Sequence, residues 1–433
     1  MKNYNGDGHR GNKENDMNEK ICRNLLQVLF DKSWQAASPQ KCLPAFLPPK
    51  PVGRTIVIGA GKASAEMALV LEQHWQGKLE GIVLTRYGHG APTKHIKIIE
   101  ASHPVPDAAG ENGTKEIVEL VSGLGKDDLV ICLISGGGSA LLTAPAGGIT
   151  LDEKKDINRQ LLACGAPIDE MNCLRKHLSA VKGGRLALAA YPARVVSLMI
   201  SDVPGDDPSI IASGPTVADV STTAQALAIV EKYNLDLPPA VASFLHSGEA
   251  ETPNPGDERL ANTENHIIAA PGQSLAVAGQ KAKEFGCDVQ NLGGEIEGEA
   301  REVARQHACL ALAQTPQKPC AIISGGETTV TIKGTGRGGR NGEYALALAI
   351  ALDGAENIWA IAADTDGIDG IEDNAGAIIT PTTLARAQSL GMSAQDYLDN
   401  NDAYSFFEKL GDLVITGPTR TNVNDFRAIV LYP

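Results

Sequence analysis

The sequence predicts an α/β fold in two domains, each a mostly parallel sheet flanked by helices. Three observations carry that prediction. Short continuous apolar runs alternate with helix-periodic segments, as parallel strands joined by crossover helices require. Several of the runs pass directly into glycine-rich turns. With 433 residues, 43% of them hydrophobic, the chain can bury more than one core.

In chain order, residues 1–18 are polar, mixed in charge and without an apolar core segment, so they read as a disordered extension rather than a signal peptide. Apolar residues from Glu19 to Phe30 recur at helical spacing. Thr55-Ile-Val-Ile-Gly59 reads as a buried strand feeding a helix over Lys62–Gln73. Gly81–Thr85 and Ile96–Ile99 are short strands, and Asn112–Gly123 is helical. Asp128–Ile134 is an unbroken apolar run, as in a strand covered on both faces. Residues 151–191 look largely helical, and Arg194–Ile200 is again a buried strand.

The Pro- and Gly-containing stretch 247–260 is the best linker. Beyond it, strands are expected at His266–Ala270, Asp288–Leu292, Cys320–Ile323, Ile358–Ala362, Ala377–Ile379 and Asp412–Ile415, with a helix over Gly342–Leu352. The expected division is therefore a Rossmann-like domain over 19–250 and a smaller α/β domain over 251–433, with the cut itself somewhere in 240–320.

Composition narrows the function. Aromatic residues are only 4%, so the cores are aliphatic. A net charge of −14 with no long basic run argues against a nucleic-acid groove or an anionic membrane surface. The eight cysteines form no Cys-x-x-Cys pair, and none has zinc-site spacing to a histidine, which suits a reduced, cytoplasmic protein. Gly and Pro together make about 16% of the chain, above the usual roughly 12%, and the glycine excess falls in a few short clusters.

Those clusters carry the chemistry. Gly59-Ala-Gly61-Lys62-Ala-Ser64 sits between a strand and a helix, where free N–H groups and the helix dipole attract anions. The full dinucleotide fingerprint is not met: Ala65 holds the third glycine position, and the next strand ends Leu84-Thr85-Arg86 instead of in an acid. Lys62 at the helix start points to a phosphate; a plain surface lysine is the bland reading. Ser135-Gly136-Gly137-Gly138-Ser139 follows another buried strand and suits an anion nest, or a flexible turn. A weak echo of it recurs at Ser324-Gly-Gly326-Glu327-Thr328. Neither cluster is a Walker A loop or a hydrolase elbow.

Asp202, with Asp206 and Asp207, ends a strand where open α/β sheets place ligands, and suits a general base or metal; Asx turns are the alternative. Gly334-Thr-Gly-Arg337-Gly-Gly-Arg340-Asn341-Gly-Glu343 offers two guanidinium forks on a pliable backbone ahead of a helix, the pattern for bidentate phosphate or carboxylate recognition. Asp364, Asp366 and Asp369 in the Ala362–Gly370 loop suit metal or nucleotide, or simply a turn. His103-Pro-Val-Pro-Asp107 reads first as a rigid loop. Lys176 or Lys182 could add charge to an anion site. Lysine, arginines, glycine loops and aspartates at strand ends are what phosphoryl transfer needs, provided these separate turns converge on one nucleotide tail.

With these motifs in place, the chain resembles the class II glycerate kinases, the glycerate 2-kinases with a MOFRL-type C-terminal domain. The matching segments are Gly59–Ser64, His103–Asp107, Ser135–Leu141, Met171–Leu186, Ser201–Thr216, Ser324–Glu343, Ala362–Gly370 and Thr416–Arg427. The resemblance implies ATP- and Mg²⁺-dependent phosphorylation of D-glycerate at its 2-hydroxyl, in a cleft between two α/β domains. It implies catalytic Lys62 with Arg340 or Arg337, Arg340 being favoured. Asp202 is expected to take the hydroxyl proton and Asp364 and Asp366 to hold metal or nucleotide. Gly59, Gly61, Ser64, Ser135 to Ser139, Gly326, Glu327, Thr328 and Asn341 are expected to bind phosphate or substrate. Arg420 stands where a glycine is expected in relatives. Small molecules are the only expected partners, with the oligomeric state open, a homodimer included. A nicotinamide-dependent hydroxypyruvate reductase is the alternative.

Overall fold

A computed structural model describes residues 8–433, with side chains from residue 18 onward. The described chain divides into two units, one formed by Pro39–Ala270, the other by the described part of Met1–Ser38 together with Pro271–Pro433. Among the described residues no helix is long and apolar enough to cross a membrane.

The first unit is built on six strands: β1 (Thr55–Ala60), β2 (Glu80–Arg86), β3 (Ile96–Ala101), β4 (Leu129–Ile134), β5 (Arg194–Ile200) and β6 (Thr263–Ala269). They lie in the order β3-β2-β1-β4-β5-β6, every pair parallel. β1 and β4, buried along their whole length, are central, as their unbroken apolar runs demand. On one face Ile56, Ile58, Val130, Cys132 and Ile134 pack with Ile117 and Val121 of the helix Ala108–Val121. Asp107 caps that helix by accepting from the Gly110 amide at 3.0 Å, so the end of the His103–Asp107 segment starts an element. Strand order runs outward in opposite directions from β1 and β4, although both strands point the same way. This is the switch point of the Rossmann order, where the carboxyl ends of two neighbouring strands leave a crevice.

The second unit holds β7 (Asp288–Asn291), β8 (Gly298–Glu299), β9 (Cys320–Gly326), β10 (Thr328–Thr329), β11 (Ile358–Asp364), β12 (Gly376–Ile379), β13 (Leu413–Val414) and β14 (Asp425–Leu431). Its main sheet runs β13-β12-β11-β14-β9-β7, while β8 and β10 form a separate short pair. Only β7 and β9 are parallel in the main sheet; its other four pairings are antiparallel. The mostly parallel arrangement expected of both domains thus holds in the first alone. Two reversed strands are the reason: fully buried β14, inserted between β9 and β11, and β12, between β11 and β13.

The division also differs from the expected 19–250 and 251–433. β6 completes the first sheet, which moves the cut past the 247–260 stretch to Ala270. The helix Gly8–Ala36 belongs to the second unit, because Cys22, Leu25, Leu26, Leu29 and Phe30 pack on Leu275, Ala278, Ile323, Trp359 and Phe426. Arg23 adds an ion pair to Asp412 at 2.9 Å. Of the extension expected over 1–18, residues 1–7 lie outside the described residues, and from Gly8 on the backbone is helical.

Candidate active site

The sequence motifs gather in two groups, one in each unit. In the first unit the loops after β1 and β4 are laced together. The Lys62 amide donates to the Gly136 carbonyl at 2.8 Å, and the Gly61 amide donates to Leu84 O at 3.1 Å. Ser135 Oγ accepts from the Ala63 amide at 3.0 Å and lies 3.2 Å from Ser64 Oγ. Ser64 and Ser135 are fully buried, so their hydroxyls join the two loops. Gly61 has φ +149°, and a Cβ there would stand 2.1 Å from Ser135 Oγ; this close approach is open only to glycine. Gly59, the fifth residue of β1, likewise leaves no room beside the Leu133 carbonyl. Lys62 is half-buried, just ahead of the helix Ser64–His74.

Gly137, at φ +79°, leads into the single turn Gly138–Leu141, and the ring of His103 lies against it. Ser139 Oγ sits 2.9 Å from Ser213 Oγ, which ties the β4 loop to the loop after β5. Buried Lys182 donates to Ser139 O at 2.7 Å and to Ser139 Oγ at 2.8 Å. Asp202 lies two residues past the end of β5 and is half-buried. Beyond it Asp206, Ala212 and Ser213 hold φ between 51° and 61°. Left-handed backbone at non-glycine residues is strained, and such strain concentrates at functional loops. The motifs 59–64, 103–107, 135–139 and 201–216 therefore converge on the switch point. A cavity of about 750 Å³ opens beside them, reached by His103, Gly137 and Ser139.

In the second unit the reversed β14 creates the site. Asp425 begins β14 and stands level with Gly326 at the end of β9 and with Asp364 at the end of β11. Arg340 opens the helix Arg340–Leu352 and spans this row. It donates through Nε to Asp425, through Nη1 to Glu327 and through Nη2 to Asp364, each at 2.8 Å. Burial opposes its charge, but Asp425, Asp364 and Glu327 outweigh that and hold the guanidinium protonated more firmly than usual. Asn341 donates to Asp425 at 2.7 Å. Asp369 caps the same helix, accepting from the Asn341 and Gly342 amides at 2.9 and 2.8 Å. Burial pushes the Asp369 carboxyl up to about 6, against the pull of those amides. A Cβ on Gly339 would meet the Asp369 carboxylate at 2.4 Å, which explains a glycine directly before the arginine.

The two arginines of the loop are not equivalent. Arg337 is 52% exposed, pairs with Glu372 at 2.6 Å and lies 4.2 Å over the Tyr404 ring. Arg340 is the one built into the carboxylate row. Glu327 is tied to Arg340 and Thr328 to Arg427, whose guanidinium also reaches Asp425 at 2.6 Å. Asp364 and Asp366 are both buried and two residues apart in the turn, Asp364 accepting from the Asp366 amide at 2.9 Å. Among the described residues no three His, Cys, Asp or Glu side chains are grouped to hold a metal ion unaided. Asp364 and Asp366 nonetheless supply carboxylate oxygens, the donor type Mg²⁺ takes alongside nucleotide phosphates.

Asp425 and Arg427 were not singled out from the sequence, although both lie within the matching segment Thr416–Arg427. The available signal was a charged pair heading an apolar run, Asp-Phe-Arg-Ala-Ile-Val-Leu431.

Fold and site together define a two-domain α/β protein with glycine-rich, lysine-bearing loops at a Rossmann switch point and an arginine–carboxylate row in its second domain. The model of a domain of unknown function, DUF4147, matches residues 25–246, and that of the MOFRL family matches 320–425. A D-glycerate 2-kinase of Thermotoga maritima is 41% identical over 93% of this chain and 97% of its own length. A crystal structure of glycerate kinase from that organism superposes with a TM-score of 0.85 at 39% identity, covering 96% of this chain and all of that one. An Agrobacterium vitis protein with the provisional name hydroxypyruvate reductase is 50% identical over 96% of this chain and 95% of its own. The chain belongs to the glycerate 2-kinase family.

Proposed function

We propose that this chain transfers the γ-phosphoryl group of ATP to the 2-hydroxyl of D-glycerate, releasing 2-phosphoglycerate and ADP. The observation that carries this reading is the switch-point crevice, where the Lys62 loop and the Ser135–Ser139 loop are hydrogen-bonded to each other. Catalysis of phosphoryl transfer is mainly positioning plus neutralisation of charge on the moving group. Lys62 and Arg340 supply the positive charge. To reach a phosphoryl oxygen Arg340 exchanges one carboxylate, and Glu327, 51% exposed, is the partner most easily released. The glycerate 2-oxygen attacks the γ-phosphorus, the bond to the β–γ bridging oxygen breaks, and Asp202 accepts the hydroxyl proton.

Asp364 and Asp366 are the residues that would hold Mg²⁺. When bound, the ion neutralises charge on the nucleotide phosphates. Gly59, Gly61 and Gly136 to Gly138 let the phosphates approach the backbone, with Ser64, Ser135 and Ser139 holding the loops in place. Gly326, Thr328 and Asn341 support the Arg340 row. We assign Arg337 a supporting role at the rim. A cytoplasmic location is in keeping with a sequence whose eight cysteines include no Cys-x-x-Cys pair.

The reductase reading finds less support. β2 ends at Arg86 without the acid that binds the adenosine ribose of NAD, and an arginine there leaves room only for the 2′-phosphate of NADP. A coupled assay for ADP release separates the two readings. D-Glycerate-dependent ADP formation is expected, with no oxidation of NADH or NADPH by hydroxypyruvate. Hydroxypyruvate reduction without ATP turnover would reverse the assignment.

A further inference from the structure

We propose that the 750 Å³ cavity beside the β4 loop is an oxyanion site, in which Lys154, Arg175 and Lys182 bind the carboxylate or phosphate groups of one of the two substrates. The three cations come from separate places: Lys154 from the helix Leu151–Ala163, Arg175 from the helix Ile168–His177, and Lys182 from the turn ahead of the helix Arg185–Ala189. All three line the one cavity, together with His103, Gly137 and Ser139 of the switch-point loops.

Their partners are neutral. Arg175 Nε donates to Asn158 Oδ1 at 2.7 Å, Lys154 Nζ to Thr143 Oγ1 at 3.4 Å, and Lys182 to Ser139. Among the described residues none of the three is in an ion pair. Neighbouring cations differ: Lys176 is matched by Asp219 at 3.1 Å, Arg159 by Asp156, and Lys155 by Asp152 at 3.8 Å. Glu111 is the acid felt by Lys154, and it is itself paired to Lys115.

Burial and mutual repulsion push Lys154 down to about 8 and Lys182 well below its ordinary value, and burial lowers Arg175. Like charges gathered in a partly buried pocket without a protein counter-ion are costly. An entering anion relieves that cost and draws protons onto the lysines. The cavity is of the size that encloses small-molecule ligands. Naming a substrate as the anion rests on the phosphotransfer reading; the cationic cavity does not.

The test uses the full chain, titrated calorimetrically with ATP and, separately, with D-glycerate at pH 8. We expect Lys154→Met to weaken one of them about tenfold or more, as loss of a charge-assisted contact does. The wild type is expected to take up protons on binding that ligand, read from two buffers of different ionisation enthalpy. Lys154→Met and Lys154→Arg both reduce the uptake to the share that Lys182 contributes, but only Lys154→Arg keeps the affinity. Weakened ATP assigns the site to phosphate, and weakened D-glycerate assigns it to the carboxylate. Unchanged affinity for both, in a variant that still folds, overturns the proposal. If the wild type binds neither substrate, the phosphotransfer reading has failed instead, and inorganic phosphate then probes the cavity alone: proton-linked binding weakened in Lys154→Met upholds the site, and its absence overturns it.

Discussion

Replacing Arg340 with methionine removes three ion pairs at once, and the structure sets what each is worth. Glu327 is half-exposed, and a pair of that kind contributes about 0–1 kcal/mol. Asp425 and Asp364 are buried, and stripping the partner from a buried carboxylate costs about 3–5 kcal/mol. Asp425 keeps Arg427 and Asn341, and Asp364 keeps the Asp366 amide, so the loss falls near the low end, about 3 kcal/mol. For a unit of this size, with a urea slope of about 2 kcal/mol per molar, the second unit's midpoint shifts down by about 1.5 M. Hydrogen exchange at the β14 amides follows that unit separately, which matters because a two-unit chain need not unfold in one step. Turnover should fall by about 10²-fold or more. Arg340→Lys should rescue little, because an ammonium cannot serve three carboxylates lying in different directions. Unchanged β14 protection together with wild-type turnover in Arg340→Met would refute the reasoning.

Lys62→Ala should lower turnover by about 10³-fold if its charge acts in the transition state, with an unaltered melting curve as the control. Arg337→Ala, by contrast, should leave kcat within a few-fold and the melting curve nearly unchanged, since its guanidinium is half-exposed. Asp369 carries a pH signature. Its folded pKa of about 6 lies above the unfolded value of about 4, so the native state binds the extra proton. Unfolding free energy therefore falls as pH rises from about 4 to about 6, and Asp369→Asn should flatten that slope in denaturant titrations at stepped pH.

Much of the first unit could be read in advance, for plain physical reasons. β1 and β4 are central strands, and strands covered on both faces advertise themselves as unbroken apolar runs. The glycines behind them occupy positions where a Cβ would collide or φ is positive. Position 420 belongs to the same class: a glycine was expected there, and Arg420 holds φ at 59°.

The second unit hid more. β14 begins Asp-Phe-Arg, a pattern that argues against a central strand until the charges are seen to neutralise one another inside the protein. The parallel reading of the second sheet failed with it. The membership of the helix Gly8–Ala36 was equally hidden, because its apolar stripe shows that it packs but not on what. Lys154 and Arg175 lie on different helices, with nothing in their local spacing to announce a shared cavity. Lys182, followed by two glycines, gave only a weak hint.

The most direct measurement of the central claim is the identity of the phosphorylated product. With D-glycerate, ATP and Mg²⁺, phosphorus NMR should show 2-phosphoglycerate accumulating in step with ADP, and both signals vanishing in Lys62→Ala. Formation of 3-phosphoglycerate, or ADP appearing without any new phosphate ester, would contradict it.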